Sequence, residues 1–201
     1  MTQHPESDRA PDALAALRAA TASRHEELDS GLPIGAPDAS LGDYAGHLAM
    51  LRAWLAPLQD WLAGFADGPR FDPQFDLPGR LALIEQDLGE PGMPPALAPP
   101  PSADAVWPPD ASPAWRWGVY YVIEGSQLGG AVLYQRLHER LAPHPLRYLK
   151  GIDAGPGPRW RAFMLALREY VRTPEEIEEA CAGACAAFDG MLALRGRPLL
   201  R

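Results

Sequence analysis

The run Val122-Ile-Glu-Gly-Ser-Gln-Leu-Gly-Gly-Ala-Val132 decides how this chain is read. Helix-like sequence flanks it, Trp115-Arg-Trp-Gly-Val-Tyr-Tyr121 before and Leu133-Tyr-Gln-Arg-Leu-His-Glu-Arg-Leu141 after. Yet the run holds Gly125, Gly129 and Gly130. Each glycine costs a helix interior about 1 kcal/mol relative to alanine. Three in one stretch predict a weakened or bent helix. Two gains offset such a cost. A bare backbone lets a large flat ligand approach closely, and small residues also let two helices pack tightly. The run alone is compatible with both.

Working outward, every neighbouring segment is helical in pattern. Upstream, residues 11–29 place Leu14, Leu17 and Leu28 on one broad face. Gly31-Leu-Pro-Ile-Gly-Ala-Pro37 breaks that helix. Asp38 or Ser40 is positioned to cap a second helix over 41–65, where Tyr44, Leu48, Leu51, Leu55, Leu58 and Leu62 recur at steps of three and four. Pro57 is expected to bend it. A third helix covers 81–88. Residues 91–113 hold nine prolines and are expected to form an extended surface connection. The glycine-containing helix spans 115–141 and ends at Pro143 and Pro145. A turn-rich link, 146–158, leads to a helix over 160–172. Thr173 as cap, Pro174 in first position, and Glu175 and Glu176 in the first turn open the last helix, which runs to Leu194. No segment alternates as a strand does. The expectation is an all-α fold, a compact single-domain bundle of roughly six to eight helices. It spans residues 11–201, after a disordered tail at 1–10.

Composition narrows the function. The 201 residues are 47% hydrophobic, which is globular, and carry a formal charge of −8. That charge argues against a general nucleic-acid or anionic-membrane partner, since phosphate contacts need a basic surface. No apolar run approaches the roughly 20 residues that span a bilayer. The polar N-terminus lacks the apolar centre of a signal peptide, so a cytoplasmic location is expected. Cys181 and Cys185 lie four apart on one helical face, too few for a disulfide framework. They are expected to be small buried helix residues.

The first helix carries the other chemical clue. Arg18, Thr21, His25 and Leu28 share a stripe, and Asp29 follows His25 by four residues. A carboxylate one turn away can take the Nδ1 proton and leave Nε2 free for a metal. The plainer alternative is a packed or half-exposed helical histidine. That alternative also fits His47, while His4, His138 and His144 read as exposed.

Together, Leu17-Arg-Ala-Ala-Thr-Ala-Ser-Arg-His-Glu-Glu-Leu-Asp29 and Tyr121-Val-Ile-Glu-Gly-Ser-Gln-Leu-Gly-Gly-Ala-Val-Leu133 resemble bacterial haem oxygenases, biliverdin-forming enzymes of iron acquisition and of bacteriophytochrome systems. Residues 148–163 and 173–188 are similar to that family's Gly-rich turn and last long helix, so the likeness covers residues 11–194 in order. The family commonly has threonine where this chain has Gln127, and some members have an aspartate where this chain has Ser126.

The resemblance implies a haem oxygenase that cuts haem, at once cofactor and substrate, to biliverdin with release of CO and ferrous iron. It implies molecular oxygen and an external reductant, with a reductase or ferredoxin as partner. It makes His25 the iron ligand and Asp29 its orienting carboxylate. Arg18 and Tyr120 match propionate-contacting positions, Thr21 lies on the same cofactor-facing stripe, and Phe188 matches an aromatic wall. Gly125, Gly129 and Gly130 become the distal face lying close over the porphyrin, with Ser126 holding water there. Arg161 and Arg168 are candidates for a further propionate contact. The competing reading is a non-catalytic haem carrier or sensor of the same fold, which the intact glycine set disfavours.

Overall fold

The computed structural model describes residues 12–69, 77–96, 107–151 and 155–195. Seven α-helices occur among them: α1 (Ala13–Gly31), α2 (Leu41–Ala63), α3 (Leu77–Leu88), α4 (Pro113–Leu137), α5 (Arg147–Lys150), α6 (Pro156–Tyr170) and α7 (Pro174–Leu194). A 3-10 turn, Pro33–Gly35, follows α1. The described residues contain no strand. The tail at 1–10 and the middle of the proline-rich connection lie outside them.

Local chemistry sets the helix starts. Asp12 caps α1 by accepting from the Leu14 amide. Ser40 and Asp43 form a reciprocal capping box at α2, and Thr173 and Glu176 form another at α7. Ser112 accepts from the Trp115 amide, so α4 starts at Pro113, two residues before the patterned region. The α4 helix stays helical through all three glycines. Likewise α2 continues past Pro57, whose side chain faces solvent, where the carbonyl it leaves unpaired can be hydrated. The link expected at 146–158 contains the short α5 and the first turn of α6.

Helix α7 is the spine against which α1, α2 and α4 pack. The α4–α7 crossing is the closest approach. A Cβ on Gly118 would lie 1.8 Å from the Ala180 carbonyl oxygen, and one on Gly183 would lie 2.0 Å from the Trp115 carbonyl oxygen. Backbone therefore rests on backbone there. Around the crossing, Leu17, Tyr44, Trp54, Ile123, Phe163 and Leu167 belong to one buried apolar cluster. The proline-rich connection has no helix or strand in its described parts, but its end is anchored. Trp107 packs against Trp61 and Trp115, and Trp61 Nε1 donates to the Pro108 carbonyl. No described helix is long and apolar enough to cross a membrane.

Two burial expectations are corrected. His144 is only 8% exposed. Its Nδ1 accepts from the Leu146 amide, which leaves Nε2 protonated to donate to the Asp87 carbonyl at 3.2 Å. Proline-broken sequence has no periodicity from which burial can be read, so this was invisible. Cys181 and Cys185 are half-buried rather than buried, because α7 turns that face toward the edge of α1. Cys185 Sγ donates to the Ala20 carbonyl.

Candidate haem site between α1 and α4

Helices α1 and α4 both pack on α7, and each offers one candidate wall of a site. They approach each other at Tyr121, whose pKa is raised by burial; hydrogen bonding with Thr21 and the Arg18 charge act in the opposite direction. One turn further along α1 is His25, and one turn further along α4 is Gly125.

On the α1 wall, the His25 side chain is 63% exposed. Its Nδ1 lies 3.0 Å from Asp29 Oδ2, one turn on. That contact occupies Nδ1 and leaves Nε2 as the lone-pair nitrogen. Phe188 of α7 backs the ring, with centroids 5.8 Å apart. Arg24 holds the neighbouring turn against α7 through a paired bond to Asp189. Arg18 is exposed and makes no ion pair among the described residues. Thr21 is buried and donates to the Leu17 carbonyl.

On α4 the glycines differ in what a side chain would meet. A Cβ on Gly129 would meet nothing within 4 Å, and one on Gly125 would meet only the Trp160 ring, at 3.9 Å. Gly129 faces no other helix, and at Gly125 the Trp160 ring of α6 leaves room for a Cβ at ordinary contact distance, so close helix packing forces neither glycine. Tight packing belongs to Gly118 and Gly183. The third member of the run, Gly130, is different: it is buried toward α5, and a Cβ there would sit 3.8 Å from Leu149 Cδ2. The open face is thus Gly125 and Gly129, one turn apart, rather than all three. Ser126 Oγ is engaged with the Ile123 carbonyl at 2.8 Å.

An ionic clamp fixes this segment from behind. Glu124 is 2% exposed and accepts from Arg80 of α3 at 2.6 Å and from Nε and Nη2 of Arg159 of α6, at 2.7 and 3.0 Å. Arg80 also donates to the Ile123 carbonyl. A buried carboxylate needs such partners. A cavity of about 240 Å³ lies on the same rear side, lined by Arg80, Gln127, Ala131, Leu149 and Arg159 among others.

The other candidate residues fall in different places. Tyr120 is only 2% exposed and lies in the core, whereas Tyr121 faces α1. One residue step turns a helix by about 100°, enough to move a side chain from wall to core. Arg168 lies near Asp12 at the start of α1, 3.9 Å away, and Arg161 is exposed on α6. Sequence reasoning passed over Arg80, Arg159, Tyr121 and Tyr148. For Arg159 a signal existed, since it adjoins Trp160 in the Gly-rich turn motif.

Comparison with known families decides among the readings. The family model described as heme oxygenase matches residues 12–194. The chain belongs to the haem oxygenase family. A relative named heme oxygenase, from Xanthomonas campestris pv. campestris (strain 8004), is 33% identical over 144 residues, 71% of this chain and 79% of that protein. Among solved structures, the NO- and CO-bound heme oxygenase from Neisseria meningitidis matches with a TM-score of 0.63 at 25% identity, covering 92% of each chain. The haem oxygenase fold agrees with the all-helical architecture described above.

Proposed function

We propose that this family member cleaves haem to biliverdin, with release of CO and ferrous iron, in the space between α1 and α4. Two features of the described helices support this reading: on α1 an imidazole held by a carboxylate at Nδ1, and on α4 a turn with room for a ligand at Gly125 and Gly129. The residues fit the group. A histidine with a free Nε2 is an iron ligand, and a bare backbone face accommodates a flat macrocycle. Haem supplies the iron that activates oxygen and the ring that is opened.

The protein's part is positioning. His25 holds the iron side, oriented by Asp29 and walled by Phe188. Arg18 and Tyr121 line the edge where α1 and α4 meet, a cation and a hydroxyl suited to a propionate. Gly125 and Gly129 keep acid–base side chains away from the opposite face. Proton delivery on that face is then left to water held on backbone groups, since the Ser126 hydroxyl is already engaged with the Ile123 carbonyl and with Tyr148. The clamp on Glu124 keeps this face from relaxing into the space. Molecular oxygen and electrons from a reductase or ferredoxin complete the reaction. The non-catalytic carrier reading gains no support from the open glycine face, because a carrier needs only the histidine wall.

The test is an absorption time course of haemin-loaded protein with ascorbate in air and catalase present. Loss of the Soret band with growth of a biliverdin band is expected. A stable Soret band, unchanged also with a competent reductase, would sink the enzyme reading. His25→Ala should lose the wild-type ferric spectrum; an identical spectrum in that variant would remove His25 from the iron.

A further inference from the structure

Resting on the reading just given, we propose that Tyr148 is the positioning residue of the glycine-rich segment, a buried strut that fixes how far the open face of α4 stands from bound haem. The two ends of this residue are held by different parts of the molecule. Its hydroxyl accepts from Gln127 Nε2 at 3.0 Å, and Ser126 also hydrogen-bonds with it. Its backbone amide donates to Asp87 Oδ2 at 2.9 Å. Asp87 is fully buried and is fixed in turn by the Tyr44 hydroxyl of α2 at 2.6 Å and by Arg147 at 3.3 Å. The strut thus runs from the rear of α4 to a frame made by α2 and α3.

Its placement gives it leverage. Gln127 lies two residues from both Gly125 and Gly129, so it points to the opposite side of α4 from the open face. Next to the strut, Leu149 packs on the buried Gly130. The glycines deprive this stretch of side chains that could brace it from the front. Bracing must come from behind, and the described bonds there are the Glu124 clamp and the Tyr148 hydroxyl. The hydroxyl is protonated, because burial raises its pKa. It therefore accepts from Gln127 while keeping a proton to donate. Removing it leaves the Gln127 amide facing a ring edge, and a buried amide without its acceptor seeks another position.

The test uses the haem-loaded full chain carrying Tyr148→Phe, with Gln127→Leu as a second variant that removes the same bond from the helix side. Wild type must first show the histidine-ligated spectrum; its absence would overturn the haem reading and the strut with it. Given that spectrum, both variants should bind haem within about twofold of wild type, because His25 is untouched. The midpoint pH of the ferric acid–alkaline transition should move by about half a unit or more, and the CO stretching band should shift or broaden. Biliverdin formed per electron consumed should fall about fivefold. If Tyr148→Phe or Gln127→Leu leaves midpoint, CO band and coupling at wild-type values while only the melting temperature falls, Tyr148 is packing alone and the proposal fails.

Discussion

His47 and His25 show how differently two helical histidines are used. The His47 ring is partly buried, and its buried Nδ1 has no hydrogen-bond partner among the described residues. Burial lowers its pKa from 6.5 to about 4. The unfolded chain therefore takes up the proton first, so the neutral ring's stabilisation is complete above pH 6.5 and is lost as pH falls toward 4. At pH 5 the loss is roughly 2 kcal/mol by linkage. The capping carboxylates do not confuse that window. Bonds from Ser40 lower the Asp43 pKa, and the Arg172 and Thr173 amides lower that of Glu176, so their own contributions are lost on the acid side of the His47 transition. His47→Phe should be neutral or stabilising at pH 7.5 and should flatten the decline in urea midpoint between pH 7.5 and 5. A variant as pH-sensitive as wild type would show that another group titrates. His25, by contrast, is legible from sequence, because Asp29 four residues on places a carboxylate on its own face. The step from Tyr120 to Tyr121 is not legible that way, since wall and core differ by one residue.

At the scale of the element, the glycines of α4 divide into two kinds. The sequence shows where they are but not what they meet. Gly118 escaped notice although it lies in the same helix, because its partner, Ala180, is supplied by α7 far along the chain. That Gly130 differs in its neighbour from Gly125 and Gly129 was hidden for the same reason: α5, which covers Gly130, sits in a stretch that looks like a loop. The helices themselves were legible, because capping residues such as Thr173 and the spacing of Tyr44 through Leu62 are local signals. The two kinds of glycine make opposite predictions. Gly118→Ala drives a methyl onto a carbonyl that no rotamer can move, and should cost about 3 kcal/mol or more. Gly129→Ala meets nothing and removes helix-destabilising freedom, so apo stability should rise by up to about 1 kcal/mol. On the proposed site the same methyl would intrude on the haem-facing side of α4, so biliverdin formation should fall while the apoprotein melts no lower than wild type. Thermal melts and turnover of the two variants decide this. Equal destabilisation in both would mean that Gly129 is a packing glycine after all.

Across the whole molecule, two walls stand on one spine, and the spine is where they are joined. Helix α1 meets α7 through the Arg24–Asp189 pair, the His25–Phe188 contact and the Cys185 bond, while α4 meets it backbone to backbone. Between the walls the Tyr121 neighbourhood is the described link, so haem bound there would bridge elements otherwise joined at one end and behind. A ligand that binds only the folded state stabilises it by mass action, about 2.7 kcal/mol when free ligand is a hundred times Kd. For a domain of this size each kcal/mol moves the melting point by about 2–4 °C. Haem near that excess should therefore raise the melting temperature by roughly 5–10 °C. The gain should shrink sharply in His25→Ala, which removes one wall's grip without touching the core, since that side chain is mostly exposed. It should persist in Arg52→Ala, because Arg52 of α2 pairs with Glu85 of α3 and belongs to neither α1 nor α4. Calorimetric melts of the three proteins, apo and haem-loaded, separate the cases. A full haem-dependent gain in His25→Ala would place the ligand elsewhere on the surface, since nothing bound between the walls can lose its iron contact and keep the same free energy.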